Sequence, residues 1–178
     1  MSIPASPVPA ISVVPPKALL DGHLFGRGQP CFGCSPDHPT GFRLAFEKYD
    51  HAERGEEIVT RFTAGQGHQG PPGIMHGGLV STLADETAAW AIIGLLGKFG
   101  FTVGFDAKLR RAIRIDVPMI ARSWVKEDRR RIVEVGLEIE QDGERACTGN
   151  FKFALLNKAA AERMLGRAMP PEWESFCR

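Results

Sequence analysis

The sequence predicts an α+β chain in which one antiparallel sheet covers a single long helix. Three observations lead there. Residues 78–95 are apolar on nearly every side, with Leu79, Val80, Leu83, Ala84 and Ala88 at helical spacing. Two strand-like stretches precede this segment and four follow it, most of them alternating apolar and polar residues. A helix that is apolar all round must be buried, and with one helix only the sheet can bury it.

The elements follow in order. Residues 1–28 form a proline-rich N-terminal arm, with prolines at 4, 7, 9, 15 and 16 favouring extended backbone at its start. Within it, residues 17–25 are expected as a short helix. Residues 26–40, rich in Gly, Pro and Cys, read as irregular structure. Phe42, Leu44 and Phe46 alternate with Arg43, Ala45 and Glu47 and predict a first strand; residues 57–63 predict a second, after a hairpin at 50–55. Pro71-Pro72-Gly73 forces a turn before the helix. Ala84, Ala88, Ala89 and Ala91 keep the helix slim, and Gly97 and Gly100 end it. Beyond it come strands around Val103–Arg110, at 119–126, around Val133–Glu140 and at 146–156. Asp142-Gly143 is the hairpin turn between the last two. The body is thus expected at 29–157. Residues 158–178 are a C-terminal amphipathic helix, stopped by Pro170-Pro171, and a tail whose Trp173 and Phe176 are placed to dock on the body or a partner chain.

Composition narrows the class. A chain of 178 residues is one domain with extensions. A net charge of +1 gives no push toward nucleic acid or an anionic membrane, so neither is expected as a partner. The longest apolar run, residues 88–96, is far short of a membrane span. The N-terminus lacks a basic start, and prolines break its apolar stretch, unlike a signal peptide. Four cysteines without a dense framework fit a reducing compartment, and a cytoplasmic protein is expected.

Function concentrates in residues 70–90. His76-Gly77-Gly78 falls at the helix N-terminus, where backbone N–H groups lack intrahelical partners. Glycines let a ligand approach the main chain, and the helix dipole adds positive charge, which suits a phosphate or a developing oxyanion. Asp85 is a carboxylate set in an otherwise apolar helix face, costly unless paired or employed. It follows His76 by nine residues, roughly 13 Å along the axis. One helix cannot aim both ends at one atom. Cooperation therefore calls for Asp85 from a second copy of the chain, which predicts a dimeric site.

His76-Gly77-Gly78, six residues and Asp85, introduced by Gln69-Gly70-Pro71-Pro72-Gly73, resembles the motif of hotdog-fold acyl-CoA thioesterases of the phenylacetate-pathway type, within the 4-hydroxybenzoyl-CoA thioesterase-like superfamily. The resemblance runs from Cys31 to about Leu156. It implies the hotdog fold, an antiparallel sheet wrapped around one long central helix, and agrees with the element order read above. It further implies hydrolysis of an acyl-CoA to a carboxylic acid and CoA, without metal or redox cofactor. The protein would be a homodimer with two sites, with pairing of dimers into tetramers left open. By position, Gly77 N–H would polarise the thioester carbonyl, and the partner's Asp85 would be nucleophile or general base. His76 would shape the site, with Gly78 beside it. Gln69 stands nearest the loop amide many members carry, and Thr102 lies where relatives place a hydroxyl near the attacking water. Arg110 and Arg111, in a basic cluster, are candidates for the coenzyme A phosphates.

The same chain carries patterns that point to other chemistry. Gly65-x-Gly67-x-x-Gly70 matches a dinucleotide fingerprint by letter, but Pro71-Pro72 stand where its helix must open, so it is rejected. Cys31-Phe-Gly-Cys34 with His38 suggests zinc or redox chemistry. Zinc sites use two close ligand pairs, whereas Cys147 and Cys177 stand alone, and no thioredoxin-like strand–helix context follows. A packed turn is the expectation. Alternatives to hydrolysis are a hotdog protein that binds or senses acyl-CoA without turnover, or a hotdog hydratase or dehydratase.

Overall fold

The computed structural model describes residues 15–177, so the proline-rich arm through residue 14 lies outside the described residues. Its centre is α1 (Gly77–Leu96). Leu83, Ala84, Ala88, Trp90 and Ala91 on this helix are fully buried. At 20 residues, with an 18-residue stretch of mean hydropathy 1.4, α1 has the length and apolarity of a membrane span. Here the sheet supplies its apolar surroundings instead. Gly97 ends the helix in the left-handed region at φ 62°, its N–H returning to the Ile93 carbonyl as in an αL cap, and Lys98 N–H bonds to the Ile92 carbonyl.

Seven strands form one antiparallel sheet: β1 (Ala18–Leu20), β2 (Phe46–His51), β3 (Gly55–Thr63), β4 (Gly100–Leu109), β5 (Pro118–Asp128), β6 (Ile132–Gln141) and β7 (Glu144–Leu155). The order across it is β1-β2-β3-β5-β6-β7-β4, leaving β1 and β4 at the edges. Val133, Val135, Leu137 and Ile139 of β6 and Phe151 and Phe153 of β7 are buried, as their alternation implies. Phe46 of β2 stacks on Trp90 with ring centres 4.6 Å apart. The β6–β7 turn has positive φ at both Asp142 and Gly143, as a two-residue hairpin demands. One sheet around one long helix is the hotdog fold.

Two local expectations are corrected. Residues 17–25 are not a helix. They give β1, paired with β2, and a single 3₁₀ turn at Gly22–Phe25, capped by the Asp21 carboxylate accepting from His23 N–H at 2.8 Å. Pairing with a neighbouring strand outweighs local helix preference, and Gly22 and Gly26 limit the turn. The first strand of the body starts later than the alternation suggests. Phe42, Leu44 and Phe46 all point inward, but the Phe42 and Leu44 N–H groups bond to the Phe32 and Gly33 carbonyls at 2.8 and 2.9 Å. Periodicity reported which side chains are buried; it could not report that a loop accepts their backbone bonds.

α2 (Lys158–Leu165) stops at Gly166, φ 65°, before the prolines. The tail docks on the body: Phe25 meets Trp173 and Phe176 with ring centres 5.7 and 5.3 Å apart, and Trp173 Nε1 donates to the Phe25 carbonyl.

Candidate active site

The loop before α1 is held from both sides. His76 N–H donates to the His68 carbonyl at 2.9 Å, and Met75 N–H to the Ile113 carbonyl at 2.8 Å. Gln69 Oε1 accepts from Gly73 N–H at 2.8 Å, so this amide clasps the Pro71-Pro72 turn. Its exposed side chain sits in the loop, outside the groove described below.

His76 is the N-cap of α1, with extended backbone (φ −62°, ψ 130°). Its Nδ1 accepts from Gly78 N–H at 3.0 Å, which assigns the ring proton to Nε2. Its carbonyl accepts from Leu79 and Val80 N–H at 2.9 and 3.0 Å. Of the four leading N–H groups of the helix, three are thereby engaged. Only Gly77 N–H has no acceptor among the described residues. The cap thus leaves a single aligned donor at the positive end of the helix dipole.

That donor borders an open groove of about 330 Å³, walled by Pro71, Met75, Leu109, Arg110, Arg111 and Ile113. Arg110 Nε donates to Thr148 Oγ1 at 3.0 Å, and Arg111 pairs with Glu144. The structure therefore brings both arginines to the Gly77 groove. Sequence analysis named Arg110 and Arg111 as site residues but not Leu109 or Ile113 beside them, because that wall depends on where β4 ends beside the helix start. A larger cavity, about 830 Å³, opens between Lys98, Asp128, Arg131 and Phe176. It contains neither the helix start nor Asp85, so size does not locate the chemistry.

Asp85 faces β4. Thr102 Oγ1 donates to Asp85 Oδ1 at 2.8 Å. A bulge between Thr102 and Gly104 breaks the register with β7 at this point, as bulges do where a side chain is re-aimed. Burial pushes the Asp85 carboxyl above its ordinary value, and the Thr102 hydrogen bond partly offsets it. Within one chain Gly77 and Asp85 stand eight positions apart on α1, about 12 Å along the axis. They do not meet there. Yet Asp85 lies beside the free edge of the sheet, and that edge is apolar: Phe101, Val103, Phe105 and Leu109 are each more than half exposed.

Elsewhere, Cys31, Cys34 and Glu86 set three potential metal-ligand atoms within 4.8 Å of one another. Sequence analysis missed Glu86 as a partner of the cysteines, since the two lie 55 positions apart. Cys147 and Cys177 are buried in other parts of the fold.

Residues 72–148 match the family model described as thioesterase superfamily. No curated protein compared with the chain matches it. Among solved structures, a thioesterase superfamily protein aligns with a TM-score of 0.61 at 19% identity, over 70% of this chain and 60% of that one. This chain thus spans less than two thirds of that relative. A hypothetical thioesterase from Streptococcus pneumoniae TIGR4, solved with coenzyme A, aligns at TM-score 0.54 and 19% identity, over 62% of this chain and 87% of its own. Zebra fish thioesterase superfamily member 2 aligns at TM-score 0.56 and 21% identity, over 67% and 89%. At such identities these likenesses speak to the fold. The matched segment contains both Gly77 and Asp85, and over that segment this hotdog-fold chain is similar to the thioesterase superfamily.

Proposed function

We propose that the protein hydrolyses acyl-CoA thioesters at sites shared between two copies of the chain. The observation that carries this reading is the single unclaimed N–H, on Gly77, at the start of α1 beside a groove with apolar and cationic walls. A thioester carbonyl placed there gains a donor that strengthens as its oxygen becomes an oxyanion. The acid comes from the other copy. Pairing along the apolar β4 edge covers exposed Phe101, Val103 and Phe105 and brings each Asp85, already beside that edge, toward the partner's helix start.

The chemistry then needs no group beyond the chain and water. As general base, Asp85 takes a proton from water while the hydroxide adds to the carbonyl carbon; as nucleophile, it adds directly and water later cleaves the anhydride. In both, the tetrahedral oxyanion rests on Gly77 N–H, and its collapse breaks the C–S bond and expels CoA as thiolate. Thr102 orients the carboxylate. Arg110 and Arg111 line the groove and supply cations for the CoA phosphates; that the Streptococcus pneumoniae relative was solved with coenzyme A supports CoA as the carrier. The resemblance to the phenylacetate-pathway type makes aryl thioesters a sensible part of a first screen, beside short, long and branched acyl-CoA substrates.

Complementation tests the shared site. Gly77→Pro removes the N–H at the first helical position, where proline is tolerated, and the extended backbone of His76 suits a following proline. Gly77→Pro and Asp85→Asn should each lose at least about 10²-fold in kcat while remaining folded. After unfolding and refolding together, the mixture should regain about a quarter of wild-type activity, because mixed dimers carry one intact site. A mixture as inactive as its parents rejects the shared site. Activity retained by Asp85→Asn alone rejects its catalytic role, and acyl-CoA bound but unchanged, read by mass spectrometry, identifies a binding protein instead.

A further inference from the structure

Glu86 follows Asp85 in sequence but faces a different part of the molecule. Its carboxylate oxygens lie 3.7 and 3.8 Å from Cys31 Sγ, and Cys34 Sγ donates to Cys31 Sγ at 3.0 Å. The turn between the cysteines is shaped around this carboxylate. A Cβ on Gly33 would stand 2.5 Å from Glu86 Cδ and Oε2, so a side chain there would expel it. The turn is fixed from outside by the Phe42 and Leu44 N–H groups on the Phe32 and Gly33 carbonyls. Trp90 Nε1 holds Glu86 Oε1 at 3.1 Å. Glu86 has no ion-pair partner among the described residues, so nothing else neutralises it.

The two sulfurs differ in environment. Cys31 is half-buried and Cys34 buried. The hydrogen bond from Cys34, with the Cys34 and Gly33 N–H groups, holds the Cys31 thiol down at about 5. Donation to Cys31 and burial push the Cys34 thiol well up. Burial raises the Glu86 carboxyl to about 7. A reachable thiolate, a protonated thiol behind it and a carboxyl able to exchange a proton are the parts that thiol–disulfide exchange requires.

We propose that Cys31 and Cys34 form a thiol–disulfide exchange site for small-molecule disulfides, with Glu86 as proton acceptor. The Cys31 thiolate attacks one sulfur of a disulfide RSSR, forming a mixed disulfide and expelling RS⁻. Cys34 then passes its proton to the Glu86 carboxylate and attacks Cys31 Sγ, forming the Cys31–Cys34 bond and expelling the second RS⁻; both RS⁻ take protons from water. Two electrons pass from the cysteine pair to RSSR, leaving two molecules of thiol. Zinc on the same three residues is the competing occupant. Tetrahedral zinc with Zn–S bonds of about 2.3 Å separates two sulfurs by about 3.7 Å and takes a fourth ligand. The sulfurs here are 3.0 Å apart, closer than zinc would hold them, which favours exchange. This inference does not depend on thioester hydrolysis.

The test is thiol mapping on the reduced full-length protein after exposure to oxidised glutathione, followed by denaturation, alkylation and mass spectrometry of peptides. Two of the four cysteines should become unreactive, with the bond located between Cys31 and Cys34. Cys34→Ser should stop at one glutathione adduct, on Cys31. Glu86→Gln should form that adduct at the wild-type rate but close the ring at least about 10²-fold more slowly. Four alkylated cysteines after oxidation, or adducts on Cys147 or Cys177 alone, overturn the proposal. So does one zinc per chain that shields the thiols until chelation. Unslowed closure in Glu86→Gln removes the proton-acceptor role. Should a variant fail to fold, mapping of the wild type still decides.

Discussion

Thr102 and Asp85 are joined by a 2.8 Å hydrogen bond that ties the free edge strand of the sheet to its central helix. The acid therefore stands at the border where a second chain would arrive, and its carboxylate is aimed by a residue of that same border. Burial raises the Asp85 carboxyl, and Thr102 pulls it back. Thr102→Val removes only the second effect, so the carboxyl rises further. In either proposed mechanism an ionised Asp85 is the active form, so activity should be lost as pH falls through its pKa. In Thr102→Val that acid limb should move to higher pH in a profile of kcat/KM. A limb that stays in place would separate Thr102 from the reaction.

His76 is a helix cap in this structure. His76→Ala frees Gly78 N–H and should cost about 1 kcal/mol, lowering the melting temperature by about 2–4 °C in calorimetry. Because Gly77 N–H survives, kcat should fall much less than in Gly77→Pro. An equally deep loss would mean that the ring itself meets substrate.

The apolar edge offers a direct handle on assembly. Val103 is 56% exposed on β4, next to the bulge. A lysine there opposes strand pairing between copies. Val103→Lys should sediment as a monomer, keep its circular dichroism and lose activity by at least about 10²-fold, since neither half-site works alone. An active monomer contradicts the shared site.

Arg110 and Arg111 are exposed cations at the groove. Alanine at either should raise KM for acyl-CoA with little change in kcat, by about 1 kcal/mol or roughly fivefold per residue, and flatten the dependence of KM on salt. Arg111 already pairs with Glu144, so Glu144→Gln should lower KM by freeing it. Unchanged KM values in both arginine variants would place the phosphates elsewhere.

Glu86 gives a stability signature. Its carboxyl titrates near 7 in the fold against an ordinary 4.5, chiefly through burial. A raised carboxyl favours the folded state while protonated. That contribution is complete below about 4.5 and is lost as pH rises through about 7. Wild-type stability in urea should therefore decline across this window by up to about 3 kcal/mol relative to Glu86→Gln. Parallel curves would show Glu86 to be ordinary in the fold.

Much of this was legible in the residues. Apolar periodicity marked α1 and the inward faces of the strands, because burial selects side chains one position at a time. Pro71-Pro72-Gly73, His76-Gly77-Gly78 and Asp142-Gly143 announced a turn, a helix start and a hairpin, since those conformations admit few residue types. The separation of Gly77 and Asp85 along α1, on which the proposed shared site rests, also followed from helix rise. What the residues could not convey was who faces whom across the fold. Residues 17–25 became a strand because β2 offered hydrogen bonds, and His76 proved to cap its own helix. Gly77 was left as the unclaimed donor by bonds that exist only once the loop is folded. Glu86 reached Cys31 and Cys34 through helix phase and chain path, quantities no local pattern encodes. Local chemistry selects elements and their buried faces; only the closing of the sheet around the helix assigns partners, because each partnership spans residues far apart in sequence.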